Sequence, residues 1–300
     1  MDVTFRPAGL DDLEPGVRVV QQAFIELRVR NGLSPVPLRP PAFQRFVMAE
    51  DPTGLWVAEA DGAVIGFACS WTRQRFWYLA QLFVQPDVQA RGIGQVLMSR
   101  VLEQAARVEA ENRALITLGY NMASTGLYIR NGLYPREPLY RLAAPRTALA
   151  GRLVADPATV ATPLAAWPGE EAWLGTVEEA VIGFRRETQH GFTQATPGMR
   201  GFRFDQNGRP AGYAYISAEG HVGPLLAAPD AEETRIVLAA VHTALASGAA
   251  QVSLIVPGRA ERILAALSAV GFRIQESMLL MAARSFGDWS RYLPSNPGSM

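Results

Sequence analysis

The sequence predicts a mixed α/β fold, with a mixed sheet in each of two tandem units. Three observations carry this. Strand-like and helix-like stretches alternate along most of the chain. Their order in the first half recurs in the second at nearly constant offsets: 146 residues from Gly62 to Gly208, 143 from Pro86 to Pro229, 139 from Gly132 to Gly271. And a chain of 300 residues, 49% of them hydrophobic, can bury two cores without disulfide staples. Residue identity between the halves is low, so the repeat is one of pattern.

In the first half, residues 9–30 read as a helix with Val17, Val20, Phe24 and Leu27 on one face, ending at Asn31-Gly32. The Pro-rich segment "LSPVPLRPP" (33–41) can be neither central strand nor helix; it lines a site or serves as a surface connection. "GAVIGFACSW" (62–71) is a strand after an Asp-Gly turn, and "WYLAQLFV" (77–84) is a second strand that stops before Pro86. Strict alternation puts Tyr78, Ala80, Leu82 and Val84 on one face of it and Trp77, Leu79, Gln81 and Phe83 on the other. A helix follows from about Gly92 to Glu111, with Leu97, Val101, Ala105 and Val108 as its core stripe. "ALITLGY" (114–120) is a strand, residues 122–131 a short helix, and a last strand lies near 138–143.

The second half repeats this order. Strands are expected at 208–217, 221–229 and 251–258, helices at 230–248 and 259–270, and a closing strand at "RIQESMLLMA". The segment 142–163 has little periodicity and reads as a linker. The expected boundaries are 1–145 for the first domain, 160–284 for the second and 285–300 for a tail. In that tail Trp289, Tyr292 and Leu293 can dock onto a domain before "PSNPGSM" frays.

Charge narrows the function. The 28 basic and 28 acidic residues balance, and every basic residue is Arg. A general nucleic-acid binder would show a basic excess. The single cysteine, Cys69, fits a reducing compartment, and no signal peptide or membrane-spanning run is evident, so a soluble cytoplasmic protein is expected. His190, His221 and His242 have no Cys or acid at ligand spacing, so no metal site is expected.

The chemistry-bearing stretch is "LFVQPDVQARGIG", which leads from the strand into the helix at Gly92. A helix start offers unpaired N–H groups and partial positive charge, Gly92 and Gly94 leave that backbone bare, and Arg91 adds a cation; together they suit a phosphate. A dinucleotide fingerprint fails because position 97 is Leu, and a Walker loop fails because the chain has no Lys. What remains, Gln89-Ala90-Arg91-Gly92-Ile93-Gly94, resembles the acetyl-CoA signature of the GNAT (GCN5-related) N-acetyltransferase superfamily. Downstream, Asn121, Ser124, Tyr128 and Gly132 fit that family's Asn-x-x-Ala-x-x-x-Tyr-x-x-x-Gly-Phe pattern, with Ser124 in place of Ala and Leu133 in place of Phe. The resemblance covers residues 3–143 by motif and about 175–283 by element order alone.

It implies two tandem GNAT-like acyl-CoA N-acyltransferase domains, the first using acetyl-CoA as cosubstrate. The diphosphate is expected on the backbone of Gln89, Ala90, Arg91, Gly92, Ile93 and Gly94, with Gln95 beside it, and the pantetheine arm along the backbone of Leu82, Phe83 and Val84. Asn121 is a cofactor contact or only a helix N-cap; Tyr128 is the general acid for the departing thiolate or only a packed residue. The reaction implied is acetyl transfer to an amine of a small molecule or peptide; a non-catalytic acyl-CoA sensor and a plain scaffold are the alternatives. The general base stays open. Where some relatives carry Glu, this chain has Tyr78, leaving Glu59, Asp61, a water chain or an already neutral amine. "RQRFWY" (73–78) is an acceptor wall or a sheet edge whose arginines face solvent. At the matching helix start of the second half, Asp230, Glu232 and Glu233 are expected to satisfy the N–H groups and repel a diphosphate, so that half is expected to be degenerate and to bind no CoA. Neither nucleic acid nor membrane is an expected partner, and the oligomeric state is open.

Overall fold

The structure is a computed structural model that describes residues 1–35, 40–164 and 170–300. Residues 36–39 of the Pro-rich segment lie outside the described residues. The chain divides into two compact units, Met1–Tyr134 with Met281–Arg284, and Pro135–Leu280 with Ser285–Met300.

The first unit runs β1 (Thr4–Pro7), α1 (Leu13–Arg30), α2 (Ala42–Glu50), β2 (Leu55–Ala60), β3 (Ala63–Arg73), β4 (Phe76–Val84), α3 (Ile93–Arg107), β5 (Asn112–Leu118) and α4 (Met122–Arg130). Strand order is β1-β2-β3-β4-β5, antiparallel throughout except for the parallel pair β4–β5. The segment Met281–Arg284 lies beside β5: the Ala283 N–H donates to the Arg113 carbonyl at 2.9 Å, and the Asn112 side chain bonds to Arg284. The expected helix 9–30 begins later, because residues 10–12 form a separate 3-10 turn. Three elements go beyond the expected set. β1 has only four residues, too few for a pattern. α2 starts just past the Pro-rich segment 33–41, where no element is expected. β2, "LWVAEA", is buried on both faces at most positions and so lacks alternation.

One expectation about β4 is corrected. Its register on β3 jumps from Cys69↔Gln81 to Ser70↔Leu79, so Ala80 is an extra residue, a β-bulge. The bulge switches faces. Before it, Trp77 donates its indole N–H to Gln104 of α3 at 3.2 Å. Beyond it, Leu82 and Val84 are the residues beside Gly94 of α3, while Gln81 and Phe83 meet Gln44 of α2 and Phe24 of α1. Trp77 therefore shares a face with Leu82 and Val84, which strict alternation cannot produce.

The second unit contains β6 (Tyr134–Pro145) from Pro135 onward, α5 (Arg146–Leu149), β7 (Thr159–Pro163), α6 (Glu170–Ile182), α7 (Glu187–Ala195), β8 (Met199–Gln206), β9 (Arg209–Ser217), β10 (Val222–Ala227), α8 (Glu233–Ala246), β11 (Gln251–Pro257), α9 (Glu261–Val270), β12 (Arg273–Ala282) up to Leu280, and β13 (Tyr292–Leu293). Here β12, β6 and β11 are neighbours, and a second group is ordered β13-β10-β9-β8-β7. The expected linker 142–163 is not one: it holds the end of β6, the single turn α5 and the edge strand β7. Its Pro and Ala content hid a strand whose partners are distant in sequence. Tyr213, Tyr215, Phe204 and Phe272 are core, together with the fully buried Glu178 and the almost fully buried Arg186. No helix among the described residues is long and apolar enough to cross a membrane.

Candidate active site in the first unit

The site begins where two strands part. β4 pairs with β5 from Phe76↔Asn112 to Leu79↔Leu115 and no further, although β4 continues to Val84 and β5 to Leu118. The bulge at Ala80 falls at the point of separation, and Ala80 has no cross-strand partner on either side. Past it, Leu82, Phe83 and Val84 pair on one side only, with β3. A parallel-type edge with free N–H and C=O groups is what an extended amide-bearing chain requires.

This open edge ends at the turn into α3. The Gln89 side-chain amide donates to the Val84 carbonyl at 2.9 Å, tying the turn to the strand. The Gln89 N–H is already used, donating to the Pro86 carbonyl. Ala90 and Gly92 both have positive φ, 62° and 84°, and so turn the chain tightly into the helix. Gly92 is the N-cap, and no side-chain oxygen caps the helix. Gln95 and Val96 donate to the Gly92 carbonyl, which leaves the Ile93 and Gly94 N–H groups as the orphan donors of the first turn. The two glycines have different reasons. At Gly92 nothing lies within 4 Å of an added Cβ, but its φ excludes most side chains. At Gly94 the conformation is helical, and an added Cβ would make ordinary contacts of 3.7–3.9 Å with Leu82, Val84 and Leu127. The fold tolerates Ala at 94; a group lying against the first turn would not.

α4 forms the opposite wall. Leu127 lies beside Gly94, and the Gln95 amide reaches Asn131 at 3.5 Å. Asn121 is the N-cap of α4, its Oδ1 accepting from the Ser124 N–H at 3.3 Å. Tyr128 is buried, and its hydroxyl is hydrogen-bonded to the Ser124 hydroxyl one turn earlier. Burial pushes the phenol pKa up to about 12, and the bond to Ser124 pulls the other way. Ser124 itself is half-buried.

The model of the acetyltransferase (GNAT) family matches residues 23–133, which span this strand edge, turn and α4. An uncharacterised N-acetyltransferase of Archaeoglobus fulgidus is 32% identical over 116 residues, 33% of this chain and 71% of that protein. The chain belongs to the GNAT acetyltransferase family. An uncharacterised N-acetyltransferase of Methanocaldococcus jannaschii is 27% identical over 103 residues, 31% of this chain but only 44% of that protein's length. Among solved structures, a proposed acetyltransferase of Pyrococcus horikoshii aligns with TM-score 0.76 at 18% identity, covering 99% of this chain and 96% of the other. A tandem GNAT protein from the clavulanic acid biosynthesis pathway aligns with TM-score 0.62 at 16% identity, covering 95% and 99%. The fold is thus a tandem pair of GNAT-like domains, each a mixed α/β structure.

Within the GNAT unit the structure gathers Leu82, Val84, Gly94, Gln95, Leu127 and Asn131 around one end of the split sheet, with Asn121 and Tyr128 on α4. Arg91 is exposed at the turn. Of the candidate bases, Glu59 is committed to Arg6, which donates to it at 2.7 and 3.1 Å, and Asp61 sits exposed in the β2–β3 turn. "RQRFWY" divides. Arg73 turns inward, paired with Asp51 at 2.7 Å and lying over Trp71 and Phe46, whereas Arg75 faces solvent beside Glu111. The sequence reading missed two features. One is the bulge at Ala80, which leaves no mark in residue type. The other is the amide pair in which Gln44 of α2 donates to Gln81 at 2.9 Å, on the side of β4 away from α3; a polar residue between the apolar Ala80 and Leu82 was its only sign.

At the matching helix start of the second unit, one expectation fails. Neither Glu232, the N-cap of α8, nor any other side chain caps the helix. Arg262 of α9 takes both carboxylates instead, Glu232 at 3.0 Å and Glu233 at 3.4 Å, and the Glu232 N–H takes Gln206. An ion pair to a neighbouring helix outcompetes the local bond because Glu, one methylene longer than Asp, caps poorly.

Proposed function

We propose that the first unit transfers the acetyl group of acetyl-CoA to an amine of a small molecule or peptide. The observation that carries this reading is the edge of β4 from Ala80 to Val84, open on one side and ending at the uncapped start of α3. The backbone of Leu82, Phe83 and Val84 pairs with the two amides of the pantetheine arm. The N–H groups of Ala90 to Gly94 face the diphosphate, with Arg91 supplying charge and Gln95 a further donor; Gln89 acts chiefly through its side chain, as a strut. Asn121 shapes the start of α4 and keeps its Nδ2 amide for a ligand.

The unpaired backbone at Ala80 lies where the thioester end of such an arm would reach, and its N–H suits the carbonyl oxygen that gains charge during attack. Tyr128 donates a hydrogen bond to the departing sulfur. A phenol at about 12 remains protonated at neutral pH. The burial that weakens it as an acid also raises the proton affinity of a thiolate beside it, so the two remain matched. Ser124 offsets part of the cost of burial. The Gln44–Gln81 pair holds no charge, so the unit favours an amine that arrives neutral, and the amide groups orient it by hydrogen bonds.

Free-thiol release on mixing the protein with acetyl-CoA and a panel of amines is the test. Release with at least one acceptor supports transfer. Tight acetyl-CoA binding with no release from any acceptor supports the sensor reading instead. We place this chemistry in a reducing cytoplasm on the ground that the chain has a single cysteine, Cys69.

A further inference from the structure

The second unit carries a cleft of the same construction, and the chain's own last residues fill it. The offset of 143 that relates Pro86 to Pro229 carries Leu82, Phe83 and Val84 onto Leu225, Leu226 and Ala227, and Tyr78 onto His221. The parallel pairing that starts the split between β4 and β5 has its counterpart in the parallel bridge His221↔Ser253. Beyond that bridge, β13 takes the edge of β10. Leu293 stands opposite Leu225, Tyr292 opposite Leu226, and the Ala227 N–H donates to the Arg291 carbonyl at 2.9 Å. β13 also touches β11, so it lies in the split itself.

The segment is held along its length. Arg291 donates to the carbonyls of Ala228 and Ala231 at 2.7 and 2.9 Å, at the counterpart of the phosphate turn. His221 Nε2 lies 2.7 Å from the Ser295 carbonyl, and its Nδ1 lies 3.0 Å from the Ser253 hydroxyl. Gly223 lets the tail backbone come close: an added Cβ would stand 3.0 Å from both the Pro294 carbonyl oxygen and Ser295 Cα. Tyr292 and Leu293 are fully buried and Trp289 nearly so, with Arg186 lying over the Tyr292 ring at 5.1 Å.

We propose that residues 288–295 are a built-in ligand of the second unit. They bind as an added β-strand in a cofactor-type cleft, close that cleft to acyl-CoA, and define it as a site for an extended peptide strand that accepts the same segment in trans. The chemistry favours a peptide over a nucleotide. The edge offers backbone groups at strand spacing and buries an aromatic–aliphatic pair, Tyr292 and Leu293, with Arg186 over the Tyr292 ring, while its far end carries Glu232 and Glu233. The inference is independent of what the first unit catalyses.

Arg284 and Ser285 are exposed, so a protease recognition sequence placed between them allows the folded chain to be cut after synthesis. After the cut, residues 285–300 are expected to stay with the body on size-exclusion chromatography and to exchange with a fluorescein-labelled synthetic peptide of the same sequence. A peptide carrying Leu293→Asp binds about tenfold or more weakly, as does the normal peptide to a Gly223→Leu body. Amide exchange across β8 and β9 reports the fold of the body and stays unchanged. The proposal is overturned if the tail departs on cutting while β8 and β9 remain protected, or if the Leu293→Asp peptide binds like the normal one. It is also overturned if cutting unprotects β8 and β9, since the tail would then be core and not ligand. In the uncut chain, slowing of exchange at Leu225–Ala227 by acetyl-CoA would refute closure.

Discussion

Gly94→Ala separates a glycine kept for the fold from one kept for a ligand. The new methyl would sit 3.7 Å from Leu82, 3.8 Å from Val84 and 3.9 Å from Leu127, distances of ordinary contact, in a residue that is already helical. Replacing Gly by Ala inside a helix is worth about 0.5–1 kcal/mol. At the second helical position some of that gain is lost, yet the melting temperature should rise by about 1–4 °C. The same methyl covers the first-turn backbone offered to the diphosphate. Loss of one hydrogen bond to a charged group costs about 1.5–3 kcal/mol, so acetyl-CoA affinity should fall roughly tenfold to hundredfold. Gly92→Ala is the control: with φ at 84°, it strains the backbone by about 1 kcal/mol and lowers the melting temperature. Scanning fluorimetry gives the stability of each variant, and titration calorimetry gives the affinity. A Gly94→Ala protein that melts higher and still binds acetyl-CoA like the parent would refute the reasoning, since nothing would then lie against the turn.

Three further outcomes are expected. Tyr128→Phe should lower kcat by about 10²–10⁴-fold with little change in acetyl-CoA affinity, and the parent should show no loss of kcat from about pH 7 to about pH 10, because the phenol remains protonated. A near-parental rate, or a basic limb inside that range that vanishes in Tyr128→Phe, would remove the assignment. Ser124→Ala removes the bond that lowers the Tyr128 pKa and should cut kcat by about threefold to tenfold, with no further loss in a Tyr128→Phe background; additive losses would show that Ser124 acts elsewhere. In the second unit, burial alone would raise the Glu178 pKa, but Arg186, His190 and Tyr213 outweigh it and hold the carboxyl at about 2, against an ordinary 4.5. The stability this provides is complete above about pH 4.5 and is lost as pH falls toward 2. Thermal melts followed by circular dichroism should show that decline, and Glu178→Gln, which leaves Arg186 buried without its counter-charge, should abolish it; an unchanged acid profile would contradict the pairing.

Much of the first unit was legible because its signals are local. β3 follows from the Asp-Gly turn before it, β4 from an apolar run that stops before Pro86, α3 from its apolar stripe, and the turn between β4 and α3 from Pro86, Gly92 and Gly94. The spacing of Asn121, Ser124 and Tyr128 likewise fixes which side chains share a face of α4. Elements with weak local marks, such as β1, β2, α2 and β7, were not legible, because tertiary partners alone make them favourable. Nor could residue types distinguish the two glycines of the turn, since the distinction lies in φ at one and in the neighbours of a missing methyl at the other.

By itself, the sequence determined the repeated α/β order, the family's turn and the candidate acid, since each depends on chain-local geometry and residue chemistry. Only the tertiary structure decided where β4 leaves β5, that Arg262 and not the helix end claims Glu232 and Glu233, and that the last strand pairs with the edge of β10. Each of these depends on which distant segments meet, and a pairing between residues far apart in sequence is set by the packing of the whole unit.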